Sequence, residues 1–144
     1  MTGFGLNFHH IGLAVRKPES AIAFARGLGY VVGESVFDTW QNVGLILCTH
    51  PTSPQIEIIF PGNDKSPIDA LIATHADGIV YHCGYVTKNL DATLSAFSQC
   101  GLRPVCVSSP KPAILFDGAK VSFYRVLGVG LIEIIENPHN LGNL

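Results

Sequence analysis

The chain repeats itself at an offset of 72 positions, where Phe8-His9-His10-Ile11-Gly12-Leu13-Ala14-Val15 lies over Val80-Tyr81-His82-Cys83-Gly84-Tyr85-Val86-Thr87. His10 falls on His82, Gly12 on Gly84 and Gly29 on Gly101. The identities are few, but the order of elements repeats with them. Internal self-similarity constrains a fold more than local propensity does, because it makes copies of one supersecondary unit the starting assumption.

Each half opens on an extended apolar segment and continues into a helix, over residues 18–28 in the first half and 90–100 in the second. Pro18 opens the first helix and Gly29 lies just past its end; Asn89 caps the second, and Gly101 follows it. Leu90, Leu94 and Phe97 recur at helical spacing and form a buried stripe. Three strand-like runs come next in each half: 30–37, 43–48 and 56–60, then 103–107, 114–116 and 121–135, the last broken near 127–130. Turn-formers separate them, among them Pro51-Thr52-Ser53-Pro54, Ser108-Ser109-Pro110-Lys111-Pro112 and Asp117-Gly118. Each half therefore reads βαβββ. Between the halves, Ser66-Pro67-Ile68-Asp69-Ala70-Leu71-Ile72-Ala73 predicts a short linking helix with Ser66 as its cap.

Charge is scarce. Of 144 residues, 14% are charged, against about 25% in an ordinary soluble domain. With 47% hydrophobic residues, that composition excludes disorder. One domain over residues 1–144 is expected, with module one over about 7–62, the linking helix over about 66–75 and module two over about 78–137. The tail after Asn137 is expected to be loose. The net charge of −2 and scattered basic residues predict no nucleic-acid partner. No apolar stretch reaches the ~20 residues of a spanning helix, so no membrane partner is expected. The first residues lack a signal-peptide pattern, and the four cysteines show no Cys-x-x-Cys spacing. Buried, reduced thiols and a cytoplasmic location are the expectation.

In so charge-poor a chain, a carboxylate inside an apolar strand is informative. Glu57 sits in Gln55-Ile56-Glu57-Ile58-Ile59-Phe60, and Glu133 in Gly130-Leu131-Ile132-Glu133-Ile134-Ile135-Glu136. An ionised Glu is almost never fully buried unless it is paired or binds a metal. Either alone reads equally as the solvent face of a one-sided strand. His10 and His82 change that weighing, because they hold matching places in the two halves. Each is followed by a Glu at the end of its module, 47 and 51 positions on. Two imidazoles and two carboxylates suit a divalent cation such as Zn, Mn, Fe, Co or Ni. Gly12 and Gly84, two positions after each His, leave the same face bare.

At these residues the chain resembles a known family. His9-His10-Ile11-Gly12-Leu13-Ala14-Val15 and Val80-Tyr81-His82-Cys83-Gly84-Tyr85-Val86 resemble the two opening motifs of the vicinal oxygen chelate superfamily. That group includes glyoxalase I, methylmalonyl-CoA epimerase, extradiol dioxygenases and the bleomycin and fosfomycin resistance proteins. The segments around Glu57 and Glu133 resemble its two ligand-bearing strands. In length and layout the likeness is greatest to the methylmalonyl-CoA epimerase-like branch. The resemblance implies an α+β fold of two tandem βαβββ modules forming a cupped mixed sheet around a central metal site. It implies His10, Glu57, His82 and Glu133 as ligands, with His9 on the other face. It also implies a second catalytic carboxylate near Leu45, where this chain has none.

The function this predicts is a metal-dependent lyase or isomerase, glyoxalase- or epimerase-like. It would abstract a proton next to a carbonyl of a small substrate, with Glu133 as the base and Glu57 as the other candidate. Substrate-binding residues are not assigned. Two alternatives stand beside it: a resistance-type protein that binds a small molecule without turnover, and an Fe(II) ring-cleaving dioxygenase. Because so few charges are left to cover the outside, a homodimer is expected.

Overall fold

The computed structural model describes residues 3–138, so His139 and the tail beyond it lie outside the described residues. Two compact units divide the chain. One comprises His10–Tyr81; the other joins Met1–His9 to His82–Leu144.

In the first module, most of which is the unit His10–Tyr81, β1 (Asn7–Ala14) is followed by α1 (Glu19–Gly27), β2 (Val31–Asp38), β3 (Val43–Thr49) and β4 (Gln55–Pro61). The strand order is β2-β3-β4-β1, with β1 and β4 parallel and the other pairs antiparallel. A parallel pair needs a long crossover, which α1 and the β2–β3 hairpin supply. Pro18 stands at the helix N-cap, and Gly29 (φ 93°) takes the left-handed turn after its end, as the sequence predicts. One face of the sheet packs under α1, where Val15, Ala25, Ile46, Cys48 and Ile58 form a buried cluster. Gly44 belongs to this face: a Cβ there would collide with the Phe60 ring, so the bare backbone makes room for the aromatic.

The linking helix α2 (Asp69–Thr74) is shorter than expected, and its cap is reversed. Ser66 does not cap it through its side chain; instead the Asp69 carboxylate accepts the Ser66 backbone N–H at 2.8 Å. A carboxylate in the first turn satisfies the chain just before the helix as well as a capping hydroxyl would satisfy the helix itself.

The second module, most of which is the other unit, repeats the plan with β5 (Ile79–Thr87), α3 (Leu90–Gln99), β6 (Val105–Pro112), β7 (Lys120–Val126) and β8 (Gly130–Glu136). The order is β5-β8-β7-β6, with β5 and β8 parallel. Asn89 caps α3, its side chain accepting the Ala92 N–H at 2.9 Å. Leu90, Phe97, Tyr124, Val126, Ile132 and Ile134 form the cluster between α3 and the sheet. The N-terminal arm joins it: Phe4 packs edge-on against Phe97, and its carbonyl accepts the Thr93 hydroxyl at 2.7 Å.

The second unit corrects two expectations. The segment Ser108-Ser109-Pro110-Lys111-Pro112 is not a turn but the end of β6. It pairs only with β7, through a register broken at Cys106/Ser108 and Ser108/Lys111. An edge strand with bulges tolerates proline, whose missing N–H is not needed on the open side. The run Ile114–Phe116 is a single 3-10 turn rather than a strand. It closes through the left-handed Asp117 (φ 55°) and the Ala113 N–H bond to the Ala119 carbonyl. The run 121–135 supplies β7 and β8 around a turn. Among the described residues, no helix is long and apolar enough to cross a membrane.

Candidate metal centre

Strand alternation gives each module two unlike faces. In the first, residues of β1, β3 and β4 that point away from α1 include His10, Gly12 and Ala14; Leu45 and Leu47; and Gln55, Glu57 and Ile59. The register sets Gln55 beside His10 and Gly12 beside Glu57. Gly12 brings no side chain beside Glu57. His10 is 0% exposed and Glu57 4%, and His10 Nε2 lies 3.9 Å from Glu57 Oε1. Leu47 stands directly across from Glu57 on β3, with Leu45 two residues along and buried. The position where the resemblance implied a second acid is therefore part of an apolar wall. Asp38, also buried, is held by the backbone N–H groups of Trp40 and Gln41 and by the Gln41 carboxamide.

The second module repeats the arrangement. Gly84 is set beside Glu133, and His82 lies two residues before Gly84 on the same face. His82 Nε2 and Glu133 Oε2 are 2.9 Å apart, with both residues buried. Phe123 is the cross-strand partner of Glu133, and its ring meets the His82 imidazole edge-to-face at 5.5 Å. Each pair is a buried imidazole with a buried carboxylate, a donor set able to ligate a borderline divalent cation.

Other residues singled out in the sequence fall elsewhere. His9 packs edge-on against Phe116 at 5.3 Å. Tyr124 is in the helix-side core, and Arg125 is exposed. His50 accepts the backbone N–H groups of Thr52 and Ser53 and so holds a loop, while His75 is exposed. All four cysteines are free; Cys48 is buried as expected, but Cys100 and Cys106 are exposed. Sequence reasoning missed Phe123 and Gln55. The Gln55 carboxamide oxygen is buried with no hydrogen-bond partner. Its place two residues before Glu57 put it on the same face; its place beside His10 depends on the strand register.

A family model described as the Glyoxalase/Bleomycin resistance protein/Dioxygenase superfamily matches residues 9–123. The chain belongs to this superfamily. The match spans His10, Glu57 and His82 and ends before Glu133. Among curated relatives of this superfamily member is an ethylmalonyl-CoA/methylmalonyl-CoA epimerase of Cereibacter sphaeroides, 28% identical over 104 residues, which cover 72% of this chain and 77% of the relative. A crystal structure of methylmalonyl-CoA epimerase from Mycobacterium tuberculosis superposes with a TM-score of 0.74 at 22% identity, covering 92% of this chain and 88% of that one. A variant of the Streptomyces coelicolor methylmalonyl-CoA epimerase, in complex with 2-nitronate-propionyl-CoA, gives 0.70 at 20% identity, covering 92% and 97%. These structures share the fold of this superfamily member.

Proposed function

We propose that this superfamily member is a metal-dependent isomerase or lyase that removes a proton from the carbon next to a carbonyl of a small substrate. His10, Glu57, His82 and Glu133 would hold one divalent cation. The observation that carries this reading is the burial of two glutamates, each beside a histidine at the matching place of its module, in a chain with few charges. Buried carboxylates persist where a cation or partner compensates them. When bound, the cation supplies Lewis-acid stabilisation of the negative charge that develops on the carbonyl oxygen.

The chain's own residues do the proton work. Glu133 would take the proton through a carboxylate oxygen left free of the cation, while its Oε2 and His82 Nε2, 2.9 Å apart, would serve as neighbouring ligands. Glu57, whose register partner Gly12 has no side chain, is the second candidate base. Leu45 and Leu47 exclude water from the first module's face. The substrate is a small molecule. The curated relative and both structural neighbours are named as acyl-CoA epimerases, which makes methylmalonyl-CoA the first compound to try. The protein acts as a cytoplasmic homodimer.

The test is solvent exchange. Protein loaded with Zn, Co, Ni, Mn or Fe(II) is incubated with methylmalonyl-CoA in deuterium oxide, and label at the carbon next to the thioester is read by mass spectrometry. Metal-dependent exchange that is lost in Glu133→Gln is the expected result. A protein that retains no stoichiometric metal, and binds ligands equally well in His10→Ala, is the resistance-type binder instead. Oxygen uptake with Fe(II) and a catechol would make it the ring-cleaving oxygenase.

A further inference from the structure

Gln55 is a polar group on the His10–Glu57 face of the first module that the proposed chemistry does not use. The parallel register sets it beside His10, and alternation places it on the same side of β4 as Glu57. Its carboxamide oxygen is buried without a hydrogen-bond partner. On this face Gly12, Ala14, Leu45, Leu47 and Ile59 bring no hydrogen-bonding side chain, and Thr49, next along β3 on the same face, does not bond the Gln55 oxygen. Buried side-chain acceptors are satisfied in the large majority of cases, and an exception next to a reactive constellation points to a ligand. Being neutral, a carboxamide adds nothing to the charge of the two glutamates. It discriminates by hydrogen bonding alone.

We propose that Gln55 is a substrate-orienting residue, whose carboxamide oxygen accepts a hydrogen bond from an N–H or O–H group that the substrate carries next to its carbonyl oxygen. This rests on the reading that a cation is held at His10. The substrate class it selects is a carbonyl compound with a hydroxyl or amide N–H on the neighbouring atom; methylmalonyl-CoA carries neither there, so its exchange is expected to be slower than that of such a compound. An analogue in which that hydrogen is replaced by methyl leaves the acceptor buried and idle, and is rejected on that ground.

The experiment uses the cobalt(II)-loaded protein and two probes. Acetohydroxamate chelates through adjacent oxygens and carries an N–H between them; N-methylacetohydroxamate chelates alike and lacks it. Both are titrated by visible absorption against wild type, Gln55→Leu and Gln55→Glu. Wild type prefers acetohydroxamate, and Gln55→Leu shrinks that preference by about 5- to 150-fold, the range for one buried acceptor left unpaired. Gln55→Glu keeps the preference, because an acceptor remains, while its added charge weakens both probes.

An unchanged preference in Gln55→Leu overturns the proposal, as does a wild type that does not discriminate. A changed cobalt spectrum in Gln55→Leu before any probe is added makes Gln55 a ligand or a structural residue and also overturns it. Failure of the wild type to take up cobalt has a different meaning: the metal reading itself falls, and this inference with it.

Discussion

Glu133 and Glu136 lie three residues apart on β8 and serve opposite faces of the sheet. Glu133 Oε2 is 2.9 Å from His82 Nε2, while Glu136 Oε2 accepts the backbone N–H of Leu90, the first residue of α3, at 2.8 Å. The odd spacing on a strand enforces the division. One glutamate lies against a buried histidine, and the other satisfies an orphan donor at a positive helix end.

The two should therefore fail differently. Glu136→Ala is expected to cost about 1 kcal/mol, the scale of a lost helix cap, with metal affinity unchanged. Glu133→Gln is expected to weaken metal binding at least tenfold while the melting temperature of the metal-free protein stays the same or rises. Thermal melts with chelator and a zinc titration read both. Loss of metal in Glu136→Ala would contradict the two-face assignment.

The contrast also shows what the sequence can reveal. His10, Glu57, His82 and Glu133 were legible because they recur at matching places, and repetition makes a coincidence of polar residues in apolar strands hard to dismiss. Glu136 was legible as facing away, by parity alone. The end of β6 was not, because Ser108-Ser109-Pro110-Lys111-Pro112 carries the composition of a turn, and only its edge position permits it to be strand. Ile114–Phe116 reads as a strand until Asp117 and Gly118 take left-handed conformations and draw the chain into a 3-10 turn. Gln55 needed the β1–β4 register, a relation between residues 45 positions apart that no local pattern encodes.

A buried hydroxyl chain ties the N-terminal arm to the second module. Thr87 and Thr93 are 2.8 Å apart through their hydroxyls, and Thr93 donates to the Phe4 carbonyl at 2.7 Å. Thr93→Val keeps the shape and removes the donor. The expected loss is about 1–3 kcal/mol, the cost of a buried acceptor left unpaired, with metal content unaffected. Urea unfolding measures it; a change under 0.5 kcal/mol, the usual scatter for an ordinary surface position, would show that the arm is held by Phe4–Phe97 packing alone.

Cysteine reactivity should split by burial. Burial pushes the Cys48 thiol above its ordinary range, and the positive charge of Arg26 offsets this only in part. A raised pKa means less thiolate at any given pH, so increasing alkalinity within the folded range brings Cys48 out later than a free thiol. Pulsed iodoacetamide labelling at mildly alkaline pH, read by mass spectrometry, should modify Cys100 and Cys106 quickly and Cys48 only after unfolding. Equal rates at Cys48 and Cys100 would refute its burial.

The homodimer rests on apolar exposure at strand edges. Val31 on β2 is 70% exposed and Val105 on β6 is 64% exposed, each on the outermost strand of its module. Exposed apolar edges invite pairing unless they are covered. Light scattering at micromolar concentration is expected to give twice the chain mass, and Val31→Lys or Val105→Lys to reduce it. A stable wild-type monomer would end the proposal.

The two histidine–glutamate pairs are unequal, and the inequality is measurable without metal. His82 and Glu133 are within hydrogen-bond distance at 2.9 Å, whereas His10 and Glu57 are 3.9 Å apart. Removing one partner of a close buried pair leaves the other desolvated and uncompensated. In chelator, His82→Ala should therefore destabilise the protein more than His10→Ala. With zinc present, wild type should gain stability that rises with the logarithm of the metal concentration, and both variants should lose that gain if each removes one of the proposed ligands. If His10→Ala kept the full zinc-dependent rise in melting temperature, the cation would be held by the second module alone and His10 would be a core residue.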